Sequence, residues 1–452
     1  MRSSLLNSRH HAPRANTMTK SAQEPRPTGL LPRVTCPHCW EQCAPQKLLW
    51  VSEHTDLLGD HRLGPEQAQR FLPTRFTVNG EALDAKGFPC HQLACPNCHL
   101  TIPRSLLELE PLFLSIFGAP ASGKSYFLAA LTWELRKTLP LVFRIGFADA
   151  DPVLNQQLNE YEESVFSGSS SDELVPLGNL IRKTEEQGDL YDTVSFGNQT
   201  VSYPRPFLFT LQPQHDHRNA QNAAKLARTV CLYDNAGESF QPGKDSAAAP
   251  VTRHMAQSRV LFFVFDPTQD ARFQRLIGKQ APTAAPSMRT MRQEPILQEA
   301  ISRIRRFAGL KQSERHKRPL IVILTKFDVW WNLLGGDPCP DPWQMARSAS
   351  NAEETFHAFD VNAVARQSQL ARQVLLQTSP EIVTAAEGFA EDVTYVPVTA
   401  VGWNVAVDAK SGLPAIKPSE AAPYWATVPF LYGISRAIPG LIPTISKKSS
   451  SR

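Results

Sequence analysis

One octapeptide constrains this chain more than any other part of its 452 residues. An apolar run, Leu112, Phe113, Leu114, Ser115, Ile116 and Phe117, leads directly into Gly118, Ala119, Pro120, Ala121, Ser122, Gly123, Lys124 and Ser125, with Tyr126 next. The octapeptide satisfies GxxxxGK[ST], the P-loop pattern. Its glycines let the backbone curl so that successive N–H groups converge on phosphate. Lys124 neutralises β/γ charge, and Ser125 offers a hydroxyl to Mg²⁺. Such a loop needs a buried strand before it and the positive end of a helix after it. Phe127, Leu128, Leu131 and Leu135 recur at helical spacing, and Pro140 ends the run. The sequence therefore predicts strand, loop and helix, and with them an α/β fold with a doubly wound, mostly parallel sheet.

Further strand-then-motif units follow. The run 229–233 ends in Asp234, Asn235, Ala236 and Gly237. A carboxylate at that strand end can hold Mg²⁺ through water, and the Gly237 amide can sense a γ-phosphate. The run 320–324 precedes Thr325, Lys326, Phe327 and Asp328. A carboxylate there accepts from both N1–H and the N2 amino group of guanine, a pairing that adenine cannot offer, so GTP is favoured over ATP. The strand 394–398 leads into Thr399, Ala400 and Val401, a variant of the loop whose backbone amide meets the guanine oxygen. Another parallel strand is expected at 260–265, an antiparallel edge strand at 207–211, a helix at 296–307 and a closing helix at 428–438. Residues 271–292, with Pro282 and Pro286, read as a surface loop.

The cysteines are concentrated near the N-terminus. Cys36-Pro37-His38-Cys39 and Cys95-Pro96-Asn97-Cys98 have the spacing at which a tight turn aims two thiolates at one tetrahedral Zn²⁺, and two such knuckles make a zinc ribbon. Reduced structural thiols or a redox CxxC are the alternatives. Cys43, Cys90, His38, His91 and His99 read as bystanders. The long intervening segment, with strand-like pieces at 47–51 and 75–78, reads as an insertion. His254 and His357 receive no chemistry.

Taken in order, Gly118 to Ser125, Asp234 to Gly237, Thr325 to Asp328 and Thr399 to Val401 resemble the translation-factor-related class of P-loop GTPases. With the ribbon upstream, the chain is similar to bacterial double-GTPase type proteins of GTPase-associated conflict systems. The resemblance implies GTP/GDP and Mg²⁺ as cofactors, with Ser125 and Asp234 on the ion, and a switch that converts GTP to GDP and phosphate. Lys124 and Glu238 are the implied catalytic residues. Glu238 stands where Ras-like GTPases carry a glutamine, and a carboxylate there cannot donate to the γ-phosphate and opposes the charge developing on it, so hydrolysis is expected to be slow. Thr184, Thr193 and Thr200 are the available switch threonines, with Thr184 favoured. Arg182 and Arg205 could serve as arginine fingers, although surface roles suit them better. A nucleotide-dependent scaffold that turns nucleotide over negligibly, and a P-loop ATPase, are the alternatives.

Composition excludes more than it assigns. A net charge of +4, from 47 basic and 43 acidic residues, is too small for a general nucleic-acid or membrane binder. The ribbon has no dense basic stripe interleaved with aromatics, so its expected partner is a protein or a second copy of the chain. No apolar run approaches the roughly 20 residues of a membrane helix, and residues 1–33 lack a signal-peptide core, which points to the cytoplasm. The expected organisation is a basic tail over 1–33, with a true start at Met18 as the alternative reading, a ribbon over 34–104, an α/β domain over 110–440 and a second tail over 441–452.

Overall fold

Strands made of consecutive apolar residues need cover on both faces. The computed structural model of the chain describes residues 29–167, 172–181, 191–235, 237–240, 253–280, 290–348 and 355–445. Its main sheet has seven strands: β1 (Glu110–Gly118), β2 (Ile145–Asp149), β3 (Phe207–Pro213), β4 (Arg228–Asp234), β5 (Val260–Phe265), β6 (Leu320–Leu324) and β7 (Val393–Pro397). They lie in the order β2-β3-β4-β1-β5-β6-β7. The last five in that order are parallel, β3 is antiparallel to β4, and β2 is antiparallel to β3 and so runs with the five. The architecture is thus mixed α/β around a largely parallel sheet. The 207–211 strand is antiparallel as expected, but it is not the edge, because β2 pairs outside it from Ile145↔Pro213 to Asp149↔Phe209. Arg144, with φ 58°, reverses the chain after the Leu139–Phe143 turn, and Phe147 stacks on Phe209 at 4.7 Å.

Alternate residues of each strand serve different layers. Leu112, Leu114 and Ile116 face helix α1 (Lys124–Thr138) and the closing helix Val428–Ala437. On the opposite face Phe117, Phe263, Phe265 and Val322 pack under a group of helices that includes Ala271–Gln280 and Glu294–Ala308. The loop expectation for 271–292 is therefore corrected over its first ten residues, where Phe273 and Ile277, one helical turn apart, both enter the core. These helices leave Phe113, Leu208, Cys231 and Tyr233 uncovered, and the cysteine ribbon packs there instead. The ribbon is thus part of the second layer, and the described chain from Leu31 onward forms one compact unit.

The ribbon's own sheet orders Thr101–Ile102, Leu93–Ala94, Leu49–Val51 and Arg70–Phe71. The strand expected at 75–78 is reduced to a single bridge between Phe76 and Ala82, and the insertion forms the hairpins Leu58–Asp60/Gly64–Ala68 and Ala82–Leu83/Pro89–Cys90. At the other end the expected tail starts too early. Leu441 and Ile442 are buried, and Thr444–Ile445 pairs in parallel with Phe359 and Asp360.

Candidate functional site

The two cysteine knuckles are near-copies of each other. In the first, Cys36 N–H donates to Glu41 O, Trp40 N–H to Cys36 O, and His38 N–H to Cys36 Sγ at 3.4 Å. In the second, Cys95 N–H donates to Leu100 O, His99 N–H to Cys95 O, and Asn97 N–H to Cys95 Sγ at 3.3 Å. Trp40 (φ 61°) and His99 (φ 64°), each following its second cysteine, adopt the left-handed conformation that closes the turn. The Cys36–Cys98 and Cys39–Cys95 sulfur separations are both 3.7 Å, and all four sulfurs lie within 4.8 Å of one another. A tetrahedron with metal–sulfur bonds of about 2.3 Å has edges of about 3.8 Å, so the set fits one ion. Burial pushes the Cys36 and Cys98 thiols well up, while hydrogen bonds from neighbouring cysteines hold Cys39 and Cys95 down, so four thiolates gathered here would call for a compensating cation.

The bystander residues stay outside this set. His38 Nε2 meets Thr101 O at 3.1 Å, and Cys90 Sγ lies 3.6 Å from Phe88 O. Asp60, His61 and His99 form a second convergent group. The 2.7 Å from His99 Nδ1 to Asp60 Oδ2 is a hydrogen-bond distance, shorter than the edge of about 3.3 Å that two ligands of one ion would show. That pair instead braces the second knuckle against the insertion.

At the carboxyl ends of β1, β4 and β6 the sequence motifs meet. Gly123 (φ +91°) opens the turn into α1, and Lys124 Nζ donates to the carbonyls of Gly118 and Ala119 at 3.0 Å each. Gly237 lies so close that a Cβ there would stand 2.6 Å from Gly118 O and 2.7 Å from Pro120 N. Only glycine lets the second motif touch the first. Asp234 is buried, and its Oδ1, like Ser122 Oγ, has no hydrogen-bond partner among the described residues. Burial, partly offset by Lys124, pushes the Asp234 carboxyl up to about 6. An orphaned buried carboxylate oxygen of this kind has the chemistry to meet a hydrated cation.

The third motif is tied to the first. Thr325 Oγ1 donates to Ser122 O at 2.8 Å, and Val398 N–H donates to Leu324 O at 2.8 Å, bringing the Thr399 loop alongside. Asp328 is partly buried. Burial, opposed by the Thr399 hydroxyl, pushes its carboxyl up to about 6. Phe327 stacks on Tyr424 (5.4 Å) and meets Trp403 edge-on (5.9 Å). Thr399 is buried with its Oγ1 accepting from Gly402 N–H at 3.2 Å; Val401 is buried and Ala400 half-buried.

Sequence reasoning missed Asp266. It follows β5 as Asp234 ends β4, and that matched position was the available signal. It takes Lys326 Nζ at 2.6 Å and Gln269 Nε2 at 3.2 Å, while Gln269 Nε2 also donates to Ala121 O at 2.9 Å.

The switch candidates fare differently. Arg182 and Thr184 lie outside the described residues, as does the Glu238 side chain, although its backbone is in the turn Gly237–Phe240. Thr193 and Thr200 sit on the hairpin Tyr191–Phe196/Gln199–Pro204, whose Val194 and Tyr203 pack into the ribbon core. Thr193, His38, Asp192 and Arg205 line a cleft of about 570 Å³ between ribbon, hairpin and the start of helix Pro152–Phe166. Arg205 Nε donates to Asp192 Oδ1 at 2.8 Å, in keeping with the surface role preferred for that residue.

No helix among the described residues is long and apolar enough to cross a membrane. The chain matches no known family model. It is 26% identical over 250 residues to the Mycolicibacterium smegmatis protein named "Putative ESX-1 scaffolding and assembly protein SaeC", an alignment spanning 51% of this chain. The chain thus spans only 57% of that relative's length. The relative's name states scaffolding and assembly, and this finding overturns the expectation of a hydrolysing GTPase switch.

Proposed function

We propose that the chain is an assembly scaffold that holds a purine nucleotide at its P-loop as a structural element and turns it over negligibly. The likeness to a scaffolding and assembly protein carries this reading. The nucleotide part is supported by the convergence of the Gly118–Ser125 loop, Gly237 and the orphaned Asp234 carboxylate. In this reading the sheet domain is kin to translation-factor-related P-loop proteins. Backbone N–H groups from Ala119 to Tyr126 and Lys124 would hold the phosphates, and Ser125 and Asp234 the Mg²⁺, which screens phosphate charge when bound. Asp328 would take guanine, and Thr399, Ala400 and Val401 would flank its oxygen. Cys36, Cys39, Cys95 and Cys98 would hold Zn²⁺, whose thiolate bonds fix the ribbon that faces a protein partner or a second copy.

Competition among GTP, GDP and ATP with Mg²⁺, combined with sedimentation of each mixture and a phosphate-release assay, tests the reading. GTP and GDP should bind in preference to ATP and shift the assembly state without phosphate release, and Lys124→Ala should bind neither. Steady multiple turnover would sink the scaffold reading. Equal competition by ATP would remove guanine from Asp328.

A further inference from the structure

The residue before Asp234 is held by the ribbon. Tyr233 ends the apolar part of β4, and its ring points away from α1 into the ribbon core. Its hydroxyl uses both of its functions on the first knuckle, donating to the carbonyl of Pro37 and accepting from Trp40 Nε1 at 3.1 Å. Pro37 lies between the cysteines of that knuckle, and Trp40 directly follows Cys39. His254 completes the contact, with its ring 4.2 Å from Tyr233 and 5.7 Å from Trp40. One end of the 237–254 stretch therefore rests on the P-loop through Gly237, and the other end rests on the knuckle through His254. The positions of Pro37 and Trp40 depend on the turn that Cys36 and Cys39 close, and those two thiols face Cys98 and Cys95.

We propose that metal occupancy of the four-cysteine centre and Mg²⁺–nucleotide occupancy at Asp234 are thermodynamically linked, with Tyr233 as the positioning residue that carries the linkage. This rests on the nucleotide-holding reading above. A metal that fixes the first knuckle fixes Pro37 O and the Trp40 indole, these fix the Tyr233 hydroxyl, and one peptide further on the Asp234 carboxylate stays aimed at the P-loop. Loss of the metal frees the knuckle turn and lets the end of β4 relax, so Asp234 is held less well. Linkage is reciprocal, so nucleotide should tighten the metal by the same factor that the metal tightens nucleotide.

The experiment measures GTP and GDP affinity of the full chain with one Zn²⁺ bound and after its removal, with Mg²⁺ present and with Mg²⁺ chelated. Zinc affinity is measured in turn, with and without nucleotide. The expected result is a loss of Mg²⁺-dependent affinity of about 5- to 30-fold on zinc removal, in the ordinary range of coupling between sites, with an equal change in zinc affinity. Affinity without Mg²⁺ should change little. Tyr233→Phe keeps the ring and removes both hydrogen bonds. With its zinc retained it should show the same Mg²⁺-dependent weakening, and it should no longer respond to zinc removal. Should the zinc-free chain unfold, the zinc-loaded Tyr233→Phe chain decides, and unchanged Mg²⁺–nucleotide affinity there overturns the proposal. Wild-type binding indifferent to zinc in a folded chain overturns the linkage alone. A wild-type chain that binds no nucleotide overturns the underlying reading and the linkage with it.

Discussion

The two knuckles and the P-loop region both gather residues from distant parts of the chain, but they do so in opposite ways. Each knuckle is complete within six residues, and its turn, its N–H···S bonds and its left-handed closing residue are all local. The two copies then meet sulfur to sulfur. The P-loop region has no such self-contained half. Its parts sit at the ends of separate strands and hold one another by long-range contacts, Thr325 on Ser122, Lys326 on Asp266 and Gly237 against Gly118. A site built from local turns would gain cohesion from an ion, whereas a site built at strand ends takes its cohesion from the sheet and keeps polar atoms such as Asp234 Oδ1 in reserve.

That contrast breaks most visibly at the thiols. Cys39→Ser should drop bound zinc from about one per chain to a small fraction. It should also open the core around Trp40 and Tyr233, because structural zinc in small ribbons supplies on the order of 10 kcal/mol of folding free energy. Metal analysis and thermal melting of the variant read the two effects, and a fully metal-loaded variant would refute the four-cysteine assignment.

Next in size is Gly237→Ala, which forces a methyl against the backbone of Gly118 and Pro120. A steric cost of about 1–3 kcal/mol and at least tenfold weaker nucleotide binding are expected, the ribbon keeping its zinc. Gly197→Ala, at φ +64° in open space, should cost about 1 kcal/mol and leave nucleotide affinity alone. Equal affinities for the two variants would mean that Gly237 does not serve the loop.

A smaller effect lies in pH. Burial raises the Asp328 carboxyl from 3.8 to about 6, so between those values the folded chain binds a proton that the unfolded chain has released. Its contribution to stability is fully present below about pH 4 and is lost as pH rises through 6. If Asp328 takes guanine as proposed, guanine preference should run the other way, half-maximal near pH 6, complete about a unit above it and falling toward about tenfold per unit below it, since only the carboxylate accepts from both guanine donors. Asp328→Asn should flatten both profiles in thermal-shift and competition titrations. The smallest effect is expected from Thr193→Val, which sits in the ribbon-side cleft and should leave nucleotide affinity unchanged within twofold.

What could be read from the sequence followed the same division. The knuckles and the strand-to-motif junctions were legible because spacing of three or four residues fixes their geometry. The helix Ala271–Gln280 was hidden by prolines beyond its end, although Phe273 and Ile277 already carried helical spacing. β2 was hidden because its five residues are mostly half-buried at a sheet edge and lack the continuous apolar run of the central strands. The contact of Trp40, Tyr233 and His254 could not have been read at all, since it joins positions nearly 200 residues apart through one hydroxyl group.

The near-complete burial of all four sulfurs, none more than 1% exposed, carries a kinetic consequence. A competing chelator could not form a ternary complex with an ion enclosed by the knuckles, so release of a bound metal would wait for a knuckle to open, as amide exchange waits for local opening. The rate of metal loss should therefore rise with chelator concentration only until it reaches the opening rate, and then level off. That plateau is a direct clock for the breathing of the ribbon.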